Sequence, residues 1–198
     1  LTKAVTAALA ALLILPASAA QAGGFWKPFL AGAVSGFAIH EGSHLALDIA
    51  FDADPRLKGV SFGPIPFFAI THRGNLPPRR EALVSGAGFL SQHVVSEIVL
   101  SRRGLDESPS AFGKGLLAFH VATSAAYAGA AFSRYGPFER DSRGVADATA
   151  TDERLIGALI LAPAAFDTWR YFRPRSRIAR WGSRLTKAAF LGVIAFKK

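Results

Sequence analysis

The sequence predicts an all-α fold: a polytopic membrane helical bundle of about four spans after an N-terminal signal, with a short β-hairpin or re-entrant segment near residues 59–70. Three observations carry this. Half of the 198 residues are apolar (51%), and most of them gather in four stretches. These are Phe29–Phe51, Ala82–Leu100, Gly115–Phe132 and Leu155–Phe172, each approaching the span of about 20 residues that a hydrocarbon core requires. Gly, Ala and Ser recur inside them, as expected where helix backbones approach closely in lipid. Finally, Gly59 to Ile70 is rich in β-branched and aromatic residues but broken by Gly63, Pro64 and Pro66, which suits a hairpin, an edge strand or a membrane-dipping loop.

The chain divides into three parts. Residues 1–22 have the pattern of a signal peptide or signal anchor. Lys3 precedes the apolar run Ala4–Leu15, and small residues at Pro16-Ala17-Ser18-Ala19 and Ala20-Gln21-Ala22 offer cleavage sites. Residues 23–172 form the membrane-embedded domain. Residues 173–198 are a basic interfacial tail with Arg173, Arg175, Arg177, Arg180 and Arg184 around Trp181, suited to anionic lipid. Its last apolar stretch, Leu185–Phe196, is too short to span. Ser133–Glu153 reads as a charged loop of mixed sign, and Pro77-Pro78-Arg79-Arg80 as a rigid basic linker. The positive-inside rule places the loops Asp52–Glu81 and Ser133–Glu153 on the inner side, but four spans then put the basic tail outside, against the same rule.

The formal charge is +9. A basic chain can bind nucleic acid or anionic lipid. Here Lys and Arg lie between apolar segments and no fingerprint of a nucleic-acid fold is visible, so the expected partner is the lipid bilayer and not nucleic acid. Cysteine is absent, which excludes disulfides and Cys-rich zinc sites. Any metal site must be built from His, Asp or Glu.

His40-Glu41-Gly42-Ser43-His44 is the pattern that carries chemistry. Histidines at i and i+4 lie on one helix face and can direct two imidazole nitrogens at one Zn²⁺ ion. Glu41 projects beside them, placed to act as general base on a metal-activated water. An apolar helix has no cheap reason to carry two His, a Glu and Asp48 together, because such groups are costly to bury unpaired. The opposing reading is a hydrogen-bonded polar cluster without metal. A catalytic zinc takes three protein ligands and keeps one open position. Leu47 and Ala50 stand where the metzincin extension needs Gly and His, and Ser101 follows Glu97 where another zincin class needs Asp. Asp167, His93, Glu97, His120 and Asp48 remain as possible third ligands.

Three patches together resemble the site-2 protease class of intramembrane metalloproteases, particularly its small bacterial members. They are His40-Glu41-Gly42-Ser43-His44, then Ala87-Gly88-Phe89-Leu90-Ser91-Gln92 beside the family's Ala-Gly-Pro-x-x-Asn, then Leu161-Ala162-Pro163-Ala164-Ala165-Phe166-Asp167 beside its Pro-containing motif with a zinc-binding Asp. The likeness covers about residues 31–170. Phe89 and Gln92 replace the family's Pro and Asn, and Thr168 stands where a Gly follows the ligand Asp. The resemblance implies His40, His44 and Asp167 as metal ligands and Glu41 as base. It also implies a zinc-dependent intramembrane endopeptidase of the bacterial inner (cytoplasmic) membrane, acting on a membrane protein or peptide substrate. Two alternatives stay open: a non-catalytic metal-binding membrane protein, and an exported soluble helical protein without metal, for which the mean hydropathy of only +0.27 leaves room.

Among the other polar residues, His93 and Glu97 share a helix face and are expected to bond each other. His120 is expected to be a satisfied core histidine, Asp48 to orient His44, His72 to be solvated, and Arg170 to pair with Asp167.

Overall fold

A computed structural model of the chain describes residues 24–62, 65–73, 75–102 and 108–196. The predicted signal at 1–22 lies outside these. Most of the described chain is helical. The elements run α1 (Trp26–Ala50), β1 (Pro55–Phe62), β2 (Ile65–His72), α2 (Pro78–Arg102), α3 (Ala111–Ser133), α4 (Asp141–Thr149), α5 (Glu153–Phe172) and α6 (Arg177–Phe196).

The ends of the helices follow from local chemistry. Pro78 opens α2, where the missing N–H has no helical partner to lose, and Glu81 and Arg102 oppose the macrodipole at its two ends. Ser110 caps α3 by accepting from the Gly113 N–H at 3.1 Å, and Asp152 caps α5 by accepting from Arg154 at 2.8 Å. Arg134 and Ala150, both at positive φ, end α3 and α4 in left-handed caps.

One ridge of α1 organises the bundle. Pro28, Gly32, Gly36, His40, His44 and Asp48 recur every four residues and are buried. The small half of this ridge meets α3, which runs parallel to α1. A Cβ on Gly32 would stand 2.0 Å from the Phe112 carbonyl oxygen, and one on Gly115 would stand 1.9 Å from that of Phe29. The polar half of the ridge meets α2, which runs antiparallel. There Val84, Gly88, Gln92 and Ser96, again four apart, are buried. Behind them lies a core of Ala82, Phe89, Val145, Ala146, Ile156, Ile160, Phe190 and Ile194, drawn from α2, α4, α5 and α6.

The 59–70 expectation resolves as a hairpin. β1 and β2 pair antiparallel from Pro55↔His72 to Phe62↔Ile65. Phe68 sets the hairpin against Phe37 of α1, ring centroids 5.7 Å apart.

Three expectations are corrected. Among the described residues only α2 and α3 are long and apolar enough to cross a membrane, against four predicted spans. The first and fourth predicted spans do form helices, α1 and α5. However, α1 carries Glu41, Asp48 and two histidines, and α5 carries Asp167 and Arg170, which lower their hydropathy. The charged segment 133–153 is not all loop, since it folds into α4. The basic tail includes a 20-residue helix whose Ala179, Ser183, Phe190 and Ile194 are buried in the bundle.

The close α1–α3 approach makes a prediction. Gly115→Leu must force the two backbones apart, lowering stability by about 1–3 kcal/mol or more. Thermal unfolding followed by circular dichroism in detergent measures this, and an unchanged midpoint would show that the contact is not needed.

Candidate metal centre

Helix periodicity stacks His40 and His44 on one face of α1, with ring centroids 5.1 Å apart. Both are buried, at 1% and 5% exposure. The third group at this point is Asp141, in the first turn of α4. Its Oδ2 lies 3.0 Å from His40 Nε2 and 3.3 Å from His44 Nε2. The three ligand atoms all lie within 4.8 Å of one another, and no other such group occurs among the described residues.

Proton positions follow from the partners. His44 Nδ1 is 2.7 Å from the carbonyl oxygen of Val84, which can only accept. Nδ1 therefore carries the hydrogen, and in the neutral ring Nε2 carries a lone pair. That lone pair faces a carboxylate, and Nε2 has no hydrogen-bond donor among the described residues. Two lone pairs 3.3 Å apart in a buried site repel unless a cation, metal ion or proton, lies between them. A histidine that donates one ring N–H to a backbone carbonyl and offers the other nitrogen inward is the usual arrangement of a metal ligand. Two imidazoles and a carboxylate also match a catalytic zinc with three protein ligands. The residues thus fit the ion that the sequence motif implies.

Asp141 is held by its neighbours. Arg140 forms a two-pronged pair with Glu153 at the start of α5, at 2.6 and 2.7 Å, and bonds the Pro137 carbonyl at 2.9 Å. Ser142 donates to the same Glu153 at 2.8 Å. Residues on both sides of Asp141 are therefore anchored to α5. Burial pushes the Asp141 carboxyl up, but positive charge on the facing imidazoles, His44 first, pulls it down further, so with a cation shared in the cluster it is held ionised below the usual carboxylate range.

A cavity of about 240 Å³ opens beside the cluster. Glu41, His44, Asp141 and Tyr127 line it together with Phe68 and Ile70 of β2. Most of its wall is apolar. Glu41 thus lines the same cavity as His44 and Asp141. Lys58 of β1 bonds Glu139 at the cavity rim at 2.5 Å, tying the hairpin to the segment before α4.

The structure brings together His40, Glu41 and His44 as the sequence predicts, but places Asp141, not Asp167, beside them. The Asp167 carboxylate is engaged elsewhere, by Ser183 at 2.6 Å, Lys187 at 2.9 Å and His120 at 3.3 Å. His93 does not bond Glu97, and neither of its ring nitrogens has a partner among the described residues. Glu97 instead receives Arg170 at 2.6 Å and Arg184 at 2.8 Å, so Arg170 serves Glu97 and not Asp167. Asp48 does not orient His44. It lies 3.0 Å from His72, which is not solvated but sits between Asp48 and Glu81. His120 is buried but contacts Gln92 and Asp167.

Asp141 escaped the sequence reading because third-ligand candidates came only from the apolar stretches. The available signal was Val145, Ala146 and Thr149 at helical spacing after an Asp in a segment read as loop. No protein-family profile, curated protein or solved structure matches the chain.

Two outcomes are expected. A Cβ on Gly88 would stand 2.3 Å from the His40 ring. Gly88→Ala should displace that imidazole and weaken Zn²⁺ binding about tenfold or more, as should Asp141→Ala. Elemental analysis of detergent-purified protein reads both against wild type and His44→Ala. The second concerns pH. Burial pushes the Glu153 carboxyl up, but hydrogen bonds from Arg140 and Ser142 pull it below its ordinary value. Stability from such a group is complete above the unfolded value of about 4.3 and is lost as pH falls through the lower folded value. Arg140→Ala should remove this acid-side dependence, measured as the melting midpoint between pH 3 and 6 (roughly the carboxylate range).

Proposed function

We propose that this chain is a zinc-dependent endopeptidase embedded in a membrane, cleaving membrane-embedded or membrane-proximal segments, in the manner of the site-2 protease class. The observation that carries the reading is the buried pair of imidazoles whose Nε2 atoms converge on Asp141, beside Glu41 on a cavity wall. The HExxH pattern, the two helices long and apolar enough to cross a membrane, and the signal-like N-terminus support it. A bacterial cytoplasmic membrane is the location that fits these features together.

In this reading His40, His44 and Asp141 hold the ion, with Asp141 taking the ligand position first expected of Asp167. A bound zinc supplies Lewis acidity, polarising a carbonyl and making a water acidic near neutral pH. Glu41 then accepts the proton from the attacking water and passes it to the leaving amine. Tyr127, whose ring lies edge-on to Phe89 at 5.1 Å and lines the same cavity, is the donor available for the oxygen that becomes negative during attack. The apolar wall accommodates an extended, uncharged stretch of polypeptide. A substrate helix must unwind locally to present one.

The test is Glu41→Gln. It should keep stoichiometric zinc while cutting hydrolysis of a transmembrane model peptide in detergent by about 10²–10⁴-fold. Full proteolysis by this variant would sink the mechanism. Wild type that binds zinc yet cleaves no membrane peptide would favour the non-catalytic metal-binding reading.

A further inference from the structure

The polar groups behind the metal centre form a continuous chain across four helices. His40 Nδ1 of α1 lies 2.8 Å from the Gln92 amide of α2. The other end of that amide lies 3.2 Å from His120 Nδ1 of α3. His120 Nε2 lies 3.3 Å from Asp167 of α5. Asp167 is anchored by Ser183 at 2.6 Å and Lys187 at 2.9 Å, both on α6. Gln92, His120 and Asp167 are at most 3% exposed.

Such a chain has only two polarities, because the ends of an amide exchange by a half-turn. In one, Gln92 donates to His40 Nδ1, which places the hydrogen of the neutral ring on Nε2, where it donates to Asp141 at 3.0 Å and blocks metal binding. His120 then donates from Nδ1 to the amide oxygen, and its Nε2 lone pair faces the Asp167 carboxylate, an unfavourable buried contact. In the other, His120 Nε2–H donates to Asp167, Gln92 N–H donates to His120 Nδ1, and His40 Nδ1–H donates to the Gln92 oxygen. Every group within the chain then has its donor or acceptor, and His40 Nε2 presents its lone pair towards Asp141 at 3.0 Å, a contact that needs a cation between them. Asp167 at one end and Asp141 at the other each accept but cannot donate while ionised, so Asp167 favours the second polarity and Asp141 the first. A cation between His40 and Asp141 removes that competition and leaves Asp167 to decide.

We propose that Gln92, His120 and Asp167 are positioning residues: an orienting chain anchored on the Asp167 carboxylate that fixes the metal-competent tautomer of His40. This rests on the metal-site reading above and gives Asp167 a role other than ligand. His44 is fixed separately by Val84, so each histidine of the motif has its own orienting partner.

Zn²⁺ affinity of the full chain in detergent, measured by competition with a chromophoric chelator, tests it. Gln92→Leu and Asp167→Asn should each weaken binding about 10–100-fold. Gln92→Glu should restore it to within a few-fold, since a carboxylate also accepts the Nδ1–H. At saturation the Co²⁺ absorption bands of Asp167→Asn should match wild type. Unchanged affinity in Asp167→Asn overturns the proposal, and so do altered Co²⁺ bands, which would make Asp167 a ligand. The ¹⁵N shifts of His120 in Zn²⁺-loaded wild type decide the matter without any variant. Protonation at Nε2 with Nδ1 accepting supports the chain, and protonation at Nδ1 with Nε2 free of hydrogen refutes it. Absence of Zn²⁺ binding by wild type would instead overturn the metal site itself.

Discussion

At 2.7 Å from the Val84 carbonyl, Nδ1 of His44 must donate, and that single hydrogen bond fixes where the ring's lone pair points. It also fixes how α1 lies on α2. A carbonyl within a helix is reachable from outside only if the neighbouring backbone comes close. Gly88, one turn further along α2, leaves room for that by presenting no Cβ to the His40 ring. Moved outward by the width of one methyl group, α2 would lose the His44 bond and the Gln92 contact to His40 together. The glycine pair Gly32 and Gly115 does the same on the α3 side. The centre is thus a consequence of backbone proximity along one ridge, with small residues at one end permitting polar residues at the other.

Burying so many ionisable groups is tolerable only because nearly all have partners of opposite sign or proton-donating character. Asp141 faces two imidazoles, and Asp167 a lysine, a serine and an imidazole. Glu97 receives Arg170 and Arg184, and Glu153 receives Arg140. Several of these basic residues lie on α5 and α6. The net positive charge therefore includes buried groups, Arg140 and Arg170, whose charge is taken up by carboxylates of the bundle.

Local periodicity was enough to read His40, Glu41 and His44, because a spacing of four places two side chains together whatever the tertiary fold. The hairpin was legible among other possibilities, since β-branched and aromatic residues bounded by Gly and Pro leave few options. Contacts between distant segments were not legible. Asp141 lies 101 residues from His40 along the chain, and the helical spacing that follows it marks the start of a helix but not a partner for the histidines. The same limit explains Arg170, which helical spacing offered to Asp167 but which reaches Glu97 on another helix. Four spans were expected because length was weighed more than charge, and inward-facing polar groups lower the hydropathy of α1 and α5 without preventing a helix. The third patch of the family likeness, ending at Asp167, named a residue that is indeed buried and ionisable, yet one helix removed from the histidines.

The cavity adds a constraint of its own. Its walls come from α1, α3, the segment before α4 and the hairpin, so it exists only while the hairpin stays against the bundle. A two-stranded hairpin is marginal by itself. This one is held by the Phe68 ring on Phe37, by His72 between Asp48 of α1 and Glu81 of α2, and by the Lys58–Glu139 bond. The last is an ion pair at a partly exposed site, the kind worth about 1 kcal/mol or less and weakened by salt. The His72 contact is of another kind, because Asp48 is buried and stands on the same ridge of α1 as His40 and His44. The ridge that sets the histidines therefore also sets the base of the hairpin, and with it the cavity wall that Phe68 and Ile70 provide.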